Sequence, residues 1–259
     1  MLTPNKNETS QTSSEFESLF DSIREKVAPF LQGLTNIAEA ATRYIHNNPD
    51  FLKNLSEALE QIKNWPERQK ELWGEAAQIG WFFNHETEIG LRGSGDIKDI
   101  NAFMYSHIKN DLPSLVDEIR AQFPARDEYF QSAFEMHNQN KFSCSIPLLF
   151  TQIDGICHDL TGNLLFSDGA KRKDYIDKLK ESDEDGIYDL FLFPIKKDVS
   201  PIFVRAEDFD KRTIGTIPNR HVIMHGYMTE YSWATEINSL KVFSLLTYIA
   251  FIAFAKSDL

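Results

Sequence analysis

Residues 218 to 226 of this chain, PNRHVIMHG, place three side chains capable of chemistry on one short segment. Pro218 is typical of the first turn of a helix and Gly226 of a helix end, so the segment predicts a short helix between them. On such a helix His221 and His225, four residues apart, share a face. An arginine beside two histidines can bind an anion and transfer protons. Ordinary helix packing does not require such a combination.

Two interpretations of this segment involve no phosphate chemistry. In a purely structural one, the apolar residues 222–224 are buried and the polar residues are solvated or capped. In the other, the histidine pair binds zinc, because histidines at i and i+4 form part of helical metalloprotease sites. The zinc interpretation lacks the intervening glutamate, and its third ligand would have to come from Asp154, His158 or Glu230.

The third interpretation is cleavage of a phosphodiester without a metal ion. When the 2′-hydroxyl of RNA attacks the neighbouring phosphorus, the reaction needs a base, an acid and a cation over the developing charge. A histidine can transfer protons near neutral pH, and a planar guanidinium can bind two phosphoryl oxygens at once. The segment supplies these groups, but spacing alone leaves open whether they face a substrate.

Composition limits the classes to which this protein can belong. The chain has 259 residues, of which 42% are hydrophobic, enough for one large domain or two small ones. Its net charge of -12 argues against coating of nucleic acid by a broad basic surface, although a local basic site is compatible with it. Cys144 and Cys157 are too far apart along one predicted helix for a disulfide. Buried, reduced thiols in the cytoplasm are therefore expected.

The two ends of the chain carry the segments that bear on targeting and membrane insertion. The amino terminus is polar and does not resemble a secretory signal, so about the first 14 residues are expected to be disordered. The most apolar stretch, residues 242–255, falls short of the roughly 20 residues that cross a bilayer. These features predict a cytoplasmic protein without a membrane anchor, whose last helix is buried in a bundle.

Helical periodicity dominates the chain and predicts an all-α fold. Residues 1–125 are expected to form an amino-terminal helical region. One of its helices is predicted to have Pro66 in its first turn and to stop at Gly80, and another to span 97–109 with Asp96 as its cap.

Residues 126–259 are predicted to form a helical bundle with a polar insert at about 163–215, which decorates the bundle rather than forming a domain. Within the bundle, Asp154 lies in a nearly continuous apolar run. Because an unpaired buried carboxylate is costly, this residue needs a partner. The best candidate for a strand is the short stretch 202–204.

The segment RHVIMHG resembles the motif of the HEPN superfamily, in which an arginine and a polar residue are followed by three further residues and a histidine. The surroundings are similar as well. The stretch YSWATEINSLKVFSLLTYIAF resembles the family's last long helix, and FSCSIPLLFTQIDGI resembles an earlier core helix that carries an acidic residue. The resemblance covers roughly residues 128–259.

The resemblance implies an α-helical bundle that dimerises, so that the motifs of two subunits meet in a cleft. Many members are metal-independent endoribonucleases of toxin, phage-defence or RNA-processing systems, whereas others bind nucleotides or RNA without catalysis. Carried over by residue, Arg220 would stabilise the phosphate, His225 would act as general acid or base, and His221 would orient the substrate or partner groups. The family often has asparagine or aspartate at the polar position, where this chain has histidine.

Asp154 is added to this site as a buried carboxylate that could pair with Arg220 or orient a histidine. A local packing or capping role beside Gly155 is equally open, since buried polar groups simply seek partners. Two motifs across a twofold axis would also concentrate positive charge on an acidic protein.

The leading hypothesis is a homodimeric endoribonuclease that acts on RNA, needs no metal or other cofactor, and leaves a 2′,3′-cyclic phosphate. An antitoxin or regulatory protein is a further expected partner. The alternative is a non-catalytic module that holds a nucleotide, RNA or a protein in the same cleft. The presence of both Arg220 and His225 favours the enzyme, because a pure binder has no need of a proton-transfer residue.

Overall fold

The computed structural model describes residues 56, 60, 64–84, 87, 99–166, 176–177, 192–196, 199–227 and 232–257. Within these residues the chain is helical and contains no strand, so the all-α prediction is confirmed. The predicted disorder at the amino terminus, the cap at Asp96 and the candidate ligand Glu230 lie outside the described residues. Cys157 is buried as expected, whereas Cys144 is exposed, so the prediction of a buried thiol was wrong for Cys144.

The described residues form six α-helices, joined in places by short 3-10 helices. The α-helices are α1 (Trp65–Gln78), α2 (Ile100–Gln122), α3 (Asp127–Asn138), α4 (Phe142–Thr161), α5 (Arg220–Met224) and α6 (Glu236–Ser257). The 3-10 helices are Pro124–Arg126, Phe193–Ile195, Pro201–Phe203 and Lys211–Thr213. By its contacts, the chain from Glu67 to Lys256 is one compact unit. Helix α2 therefore belongs to the same unit as α5, the helix of the RHVIMHG segment, which is called the site helix below.

Helix α2 starts later and runs further than the predicted 97–109. Its cap is Asp99, whose carboxylate accepts a hydrogen bond from the backbone of Ala102 at 3.0 Å. The helix also continues through Pro113, which removes one backbone hydrogen bond. Its apolar stripe continues beyond the proline, and burial of that stripe offsets this loss. The buried residues of the stripe are Met104, Ile108, Leu112, Leu115, Val116 and Ile119.

The stretch 202–204 is not a strand, and that prediction was wrong. The chain there forms the 3-10 helix Pro201–Phe203, which begins with a proline where no N–H donor is needed. The hydroxyl of Ser200 caps it by accepting a hydrogen bond from its second residue at 3.4 Å. Phe203 is buried, and its ring centroid lies 5.4 Å from that of Phe166. This part of the polar insert therefore contributes to the core as well as decorating the bundle.

Helix α6 is the most deeply buried helix of the described chain, and every side chain from 238 to 250 is buried. By length and composition alone, one window of it, Glu236–Ala253, is apolar enough to cross a membrane. Most of that window is covered by the rest of the chain, as in the core helix of a bundle.

Polar side chains on α6 form hydrogen bonds with residues 79–84, a turn and a non-helical stretch that follow α1. The side chains are those of Lys241, Ser244 and Thr247, and their respective partners are the carbonyl of Ile79, the backbone N–H of Phe82 and the side-chain amide of Asn84. The second and third of these hydrogen bonds are both 3.3 Å long. Because the segment is not helical, the first two bonds satisfy backbone groups that would otherwise lack partners, and the third joins two side chains.

Lys241 links this segment to Thr216, which lies shortly before α5 in the chain. Its ammonium, on a residue only 2% exposed, donates to the carbonyls of Ile79 and Thr216, the latter at 2.6 Å. It also lies 5.3 Å from the ring centroid of Trp81. Burial lowers the pKa of Lys241 from its ordinary 10.5 to about 8.

The lowered pKa of Lys241 predicts how stability depends on pH. Below about pH 8 the ammonium is charged in both states, whereas between pH 8 and 10.5 only the unfolded chain keeps the proton. The free energy of unfolding should therefore rise with pH in that window, by up to about 1.4 kcal/mol per unit. Urea denaturation of the wild type and of Lys241→Met between pH 7.5 and 10 checks this. A constant difference between the two proteins would contradict it.

Candidate active site

The site helix α5 begins at Arg220, and its cap is Asn219. Pro218 was predicted to lie in the first turn, and this is wrong because it precedes the cap. The side-chain oxygen of Asn219 accepts a hydrogen bond from the backbone N–H of Val222 at 2.9 Å. Its amide nitrogen donates to the carbonyls of Pro201 and Val204 at 2.8 and 2.9 Å. One fully buried side chain thus starts the helix and fixes it against the insert.

Replacing Asn219 with alanine should lower the free energy of unfolding by about 2 kcal/mol. The change removes the helix cap and leaves two carbonyls without their donor. Urea denaturation measures the loss, and Asn110→Ala, on the exposed side of α2, is the matched control. Asn219→Asp retains an acceptor for the cap but lacks the amide donors, so its stability should also fall. An Asn219→Ala protein as stable as the control would refute this account of the cap.

Gly226 terminates α5 at its carboxyl-terminal end, as the sequence predicted. Gly226 has a φ of 65°, a left-handed conformation that favours glycine. Its N–H donates to the carbonyl of Ile223 at 3.2 Å, and the N–H of Tyr227 donates to the carbonyl of Val222 at 3.1 Å. This pair of bonds is the Schellman motif. It directs the chain away from the helix and leaves His225 and Tyr227 exposed.

The structural interpretation, in which the apolar residues 222–224 are buried, is confirmed for two of the three. Val222 and Ile223 are buried, as that interpretation expects, whereas Met224 is only half-buried. The helix packs against α4 and the 3-10 helix Pro201–Phe203. Burial of Val222 and Ile223 and exposure of His225 are therefore compatible on this helix.

Arg220 and Asp154 form an ion pair between α5 and α4. A guanidinium nitrogen, Nη2, lies 3.3 Å from Oδ2 of the carboxylate, and the two side chains are only 20% and 10% exposed. The other carboxylate oxygen accepts a hydrogen bond from the backbone N–H of Phe166 at 3.1 Å. The Phe166 ring lies beneath the guanidinium, with its centroid 5.6 Å from Cζ. Of the roles left open for Asp154, the pair with Arg220 is the one observed, and a catalytic role for Asp154 stays a prediction.

Burial changes the pKa of Asp154. Desolvation raises the pKa of this carboxyl, and the N–H of Phe166 and the charge of Arg220 lower it only in part. The ionised carboxylate is therefore costly without its arginine. This explains why the two side chains are held together.

The Arg220 guanidinium retains donors that the ion pair does not use. In the part of the chain that the structure describes, its Nε is buried and has no hydrogen-bond partner. An unmatched buried donor is unusual, because each one costs free energy. A phosphoryl oxygen is the kind of acceptor that a guanidinium binds well.

The two histidines of the segment form a second pair. The ring centroids of His221 and His225 are 6.0 Å apart, and their planes differ by 16°. His221 is half-buried and His225 is exposed. The structure thus brings the four predicted residues together as two pairs, Arg220 with Asp154 and His221 with His225. A guanidinium can bind an anion, and imidazoles can exchange protons with a substrate.

The zinc interpretation receives no support from the described residues. In these residues, no group of three or more histidine, cysteine, aspartate or glutamate side chains is placed to hold a metal ion. His158, one of the conjectured ligands, is exposed on α4 and lies 3.9 Å from the Asp159 carboxylate.

Several residues around the site were missed at the sequence level. Asn219 could have been recognised, because asparagine is among the strongest cap residues. Phe166 and Lys211 carried no such signal, since each comes near the site only through the tertiary fold. Tyr227 directly follows Gly226 in the sequence, so it could have been noticed.

Comparisons with family models, with curated proteins and with solved structures find no match for this chain. A function for this protein is therefore inferred from α5 and the residues around it. The resemblance to the HEPN superfamily stays a prediction from the motif and its surroundings.

Proposed function

We propose that this protein is a metal-independent, HEPN-like endoribonuclease that cleaves RNA through its own 2′-hydroxyl. The observation that supports this most is the arrangement on α5, where an arginine held by a buried carboxylate accompanies two adjacent imidazoles, one of them exposed. These are the groups that the reaction needs, and they come from a segment of six residues, 220–225.

In this proposal Arg220 stabilises the charge that develops on the phosphate. The pair with Asp154 and the ring of Phe166 hold the guanidinium in place before substrate binds. A fixed side chain loses little conformational entropy on binding, which favours the transition state. Asp154 then serves as a positioning residue.

His225 transfers protons, because it is the exposed imidazole of the pair. The 2′-hydroxyl loses its proton to a base as its oxygen bonds to phosphorus, and the bond to the 5′-oxygen breaks as that oxygen takes a proton from an acid. His221 orients the ring of His225 by stacking on it. A homodimer would bring two copies of α5 together and so provide an acid and a base at one phosphate.

One observation favours the alternative of a binding module without catalysis. The charge of Arg220 is already compensated by Asp154, so a phosphate gains less from it than from a free guanidinium. An arginine of this kind could bind the phosphate of a nucleotide without cleaving it.

The test is cleavage of a mixed RNA pool in the presence of EDTA. The proposal predicts fragments from the wild type and a strong reduction in Arg220→Lys, which keeps the charge but loses the planar fork. A folded protein that leaves diverse RNAs intact would instead favour the binding module. Cleavage abolished by EDTA and restored by a divalent ion would overturn the metal-independent mechanism.

The dimeric part of the proposal has its own measurement. Sedimentation of the wild type at micromolar concentration should show a homodimer. A strict monomer under these conditions would contradict a site built from two copies of α5.

A further inference from the structure

Tyr227 is a large exposed side chain immediately beyond the site helix. It is 59% exposed, and only two other large hydrophobic side chains in the described chain, Tyr129 and Leu164, are comparably exposed. Its backbone N–H is held by the carbonyl of Val222 at 3.1 Å, so the ring is attached to an ordered end of α5. An accessible aromatic ring at a defined position offers a face on which a base can stack.

The neighbours of Tyr227 are an imidazole and a cation. The ring centroid of His225 lies 6.0 Å away, with the planes at 66°, so the edge of one ring meets the face of the other. The Lys211 ammonium, on the 3-10 helix Lys211–Thr213 of the insert, lies 6.0 Å from the same tyrosine centroid. That distance is at the outer limit of a cation–π contact, and the tyrosine ring remains accessible.

We infer that Tyr227 and Lys211 form a subsite for an unpaired RNA base and its phosphate, next to the phosphodiester on which His225 acts. The inference rests on the proposed function for its choice of RNA. An aromatic ring stacks on any base, and a lysine beside it binds the backbone, which is how single strands are bound without sequence readout. Bases in a duplex are stacked on each other and cannot reach such a ring, so the subsite selects single-stranded RNA.

Binding can be tested separately from cleavage with a short single-stranded oligonucleotide that carries 2′-O-methyl groups throughout. The methyl groups remove the nucleophile, so fluorescence anisotropy reports affinity alone. Tyr227→Leu should bind about tenfold more weakly than the wild type, whereas Tyr227→Phe should bind within about twofold because stacking is retained. Tyr129→Leu, at a tyrosine 51% exposed on α3, is the matched control and should bind like the wild type.

Two further binding measurements separate the contribution of base stacking from that of charge. A duplex of the same sequence should bind weakly and without dependence on Tyr227. Lys211→Gln should weaken binding and reduce its dependence on salt, because one phosphate contact is lost. Unchanged affinity of Tyr227→Leu, or equal dependence on Tyr227 for the duplex, would overturn the inference.

The outcomes also distinguish this inference from the proposed function. Binding of the oligonucleotide that depends on Tyr227, in a protein that cleaves no RNA, would support the subsite and refute the enzyme. Cleavage by the wild type with the affinity and the KM unchanged in Tyr227→Leu would support the enzyme and refute the subsite.

Discussion

Replacing His225 with alanine should lower the rate of RNA cleavage by at least about 100-fold, because a positioned proton-transfer group contributes that much or more. The imidazole is exposed at the end of α5, so the substitution removes little packing. The free energy of unfolding should change by less than about 0.5 kcal/mol, as for most surface positions. Initial rates on a fluorescent RNA, measured in EDTA, give the ratio.

His158→Ala is the matched control for this measurement. His158 is also an exposed histidine, but it lies on α4 beside Asp159 and outside the proposed site. Its variant should cleave RNA at the rate of the wild type. If His225→Ala retained most of the activity in a folded protein, His225 would not be the proton-transfer residue.

Replacing Asp154 with leucine should lower the free energy of unfolding by about 3 kcal/mol. The change leaves the guanidinium of Arg220 in a largely buried place without its counterion, and it leaves the N–H of Phe166 without an acceptor. Removing one partner of a buried ion pair is strongly destabilising because the other charge remains uncompensated. Urea denaturation near neutral pH measures the effect.

The double variant Asp154→Leu/Arg220→Met is the internal control for this pair. Replacing both partners with apolar residues removes the uncompensated charge, so more than half of the lost stability should return. If the losses from the two single variants simply added, the two side chains would contribute independently, and Asp154 would not be the residue that holds Arg220.

The parts of the fold that the sequence predicted depend on local patterns. The all-α class follows from helical periodicity, and Gly226 ends α5 because a left-handed residue is needed there. The ion pair could be anticipated from the sequence for a different reason. A carboxylate within an apolar run is expected to be buried and therefore to need a cation as its partner, and Arg220 was one candidate.

The parts that were missed depend on contacts between distant segments. The helix cap at Asn219 is local, but no local pattern predicts the bonds of its amide to the carbonyls of Pro201 and Val204. The 3-10 helix Pro201–Phe203 contains residues that favour strands, but its burial and the cap at Ser200 decide otherwise. Helix α2 likewise passes its proline because the buried stripe continues beyond it.

The central claim is that the RNA's own 2′-hydroxyl is the nucleophile and that no metal ion takes part. Mass spectrometry of the products formed in EDTA tests it most directly, with one RNA and a matched RNA that carries a single 2′-deoxy nucleotide at the cut site. We predict a 2′,3′-cyclic phosphate and a 5′-hydroxyl from the first RNA and no cut at that position in the second. A 3′-hydroxyl with a 5′-phosphate, or a cut beside the deoxy nucleotide, would contradict the account.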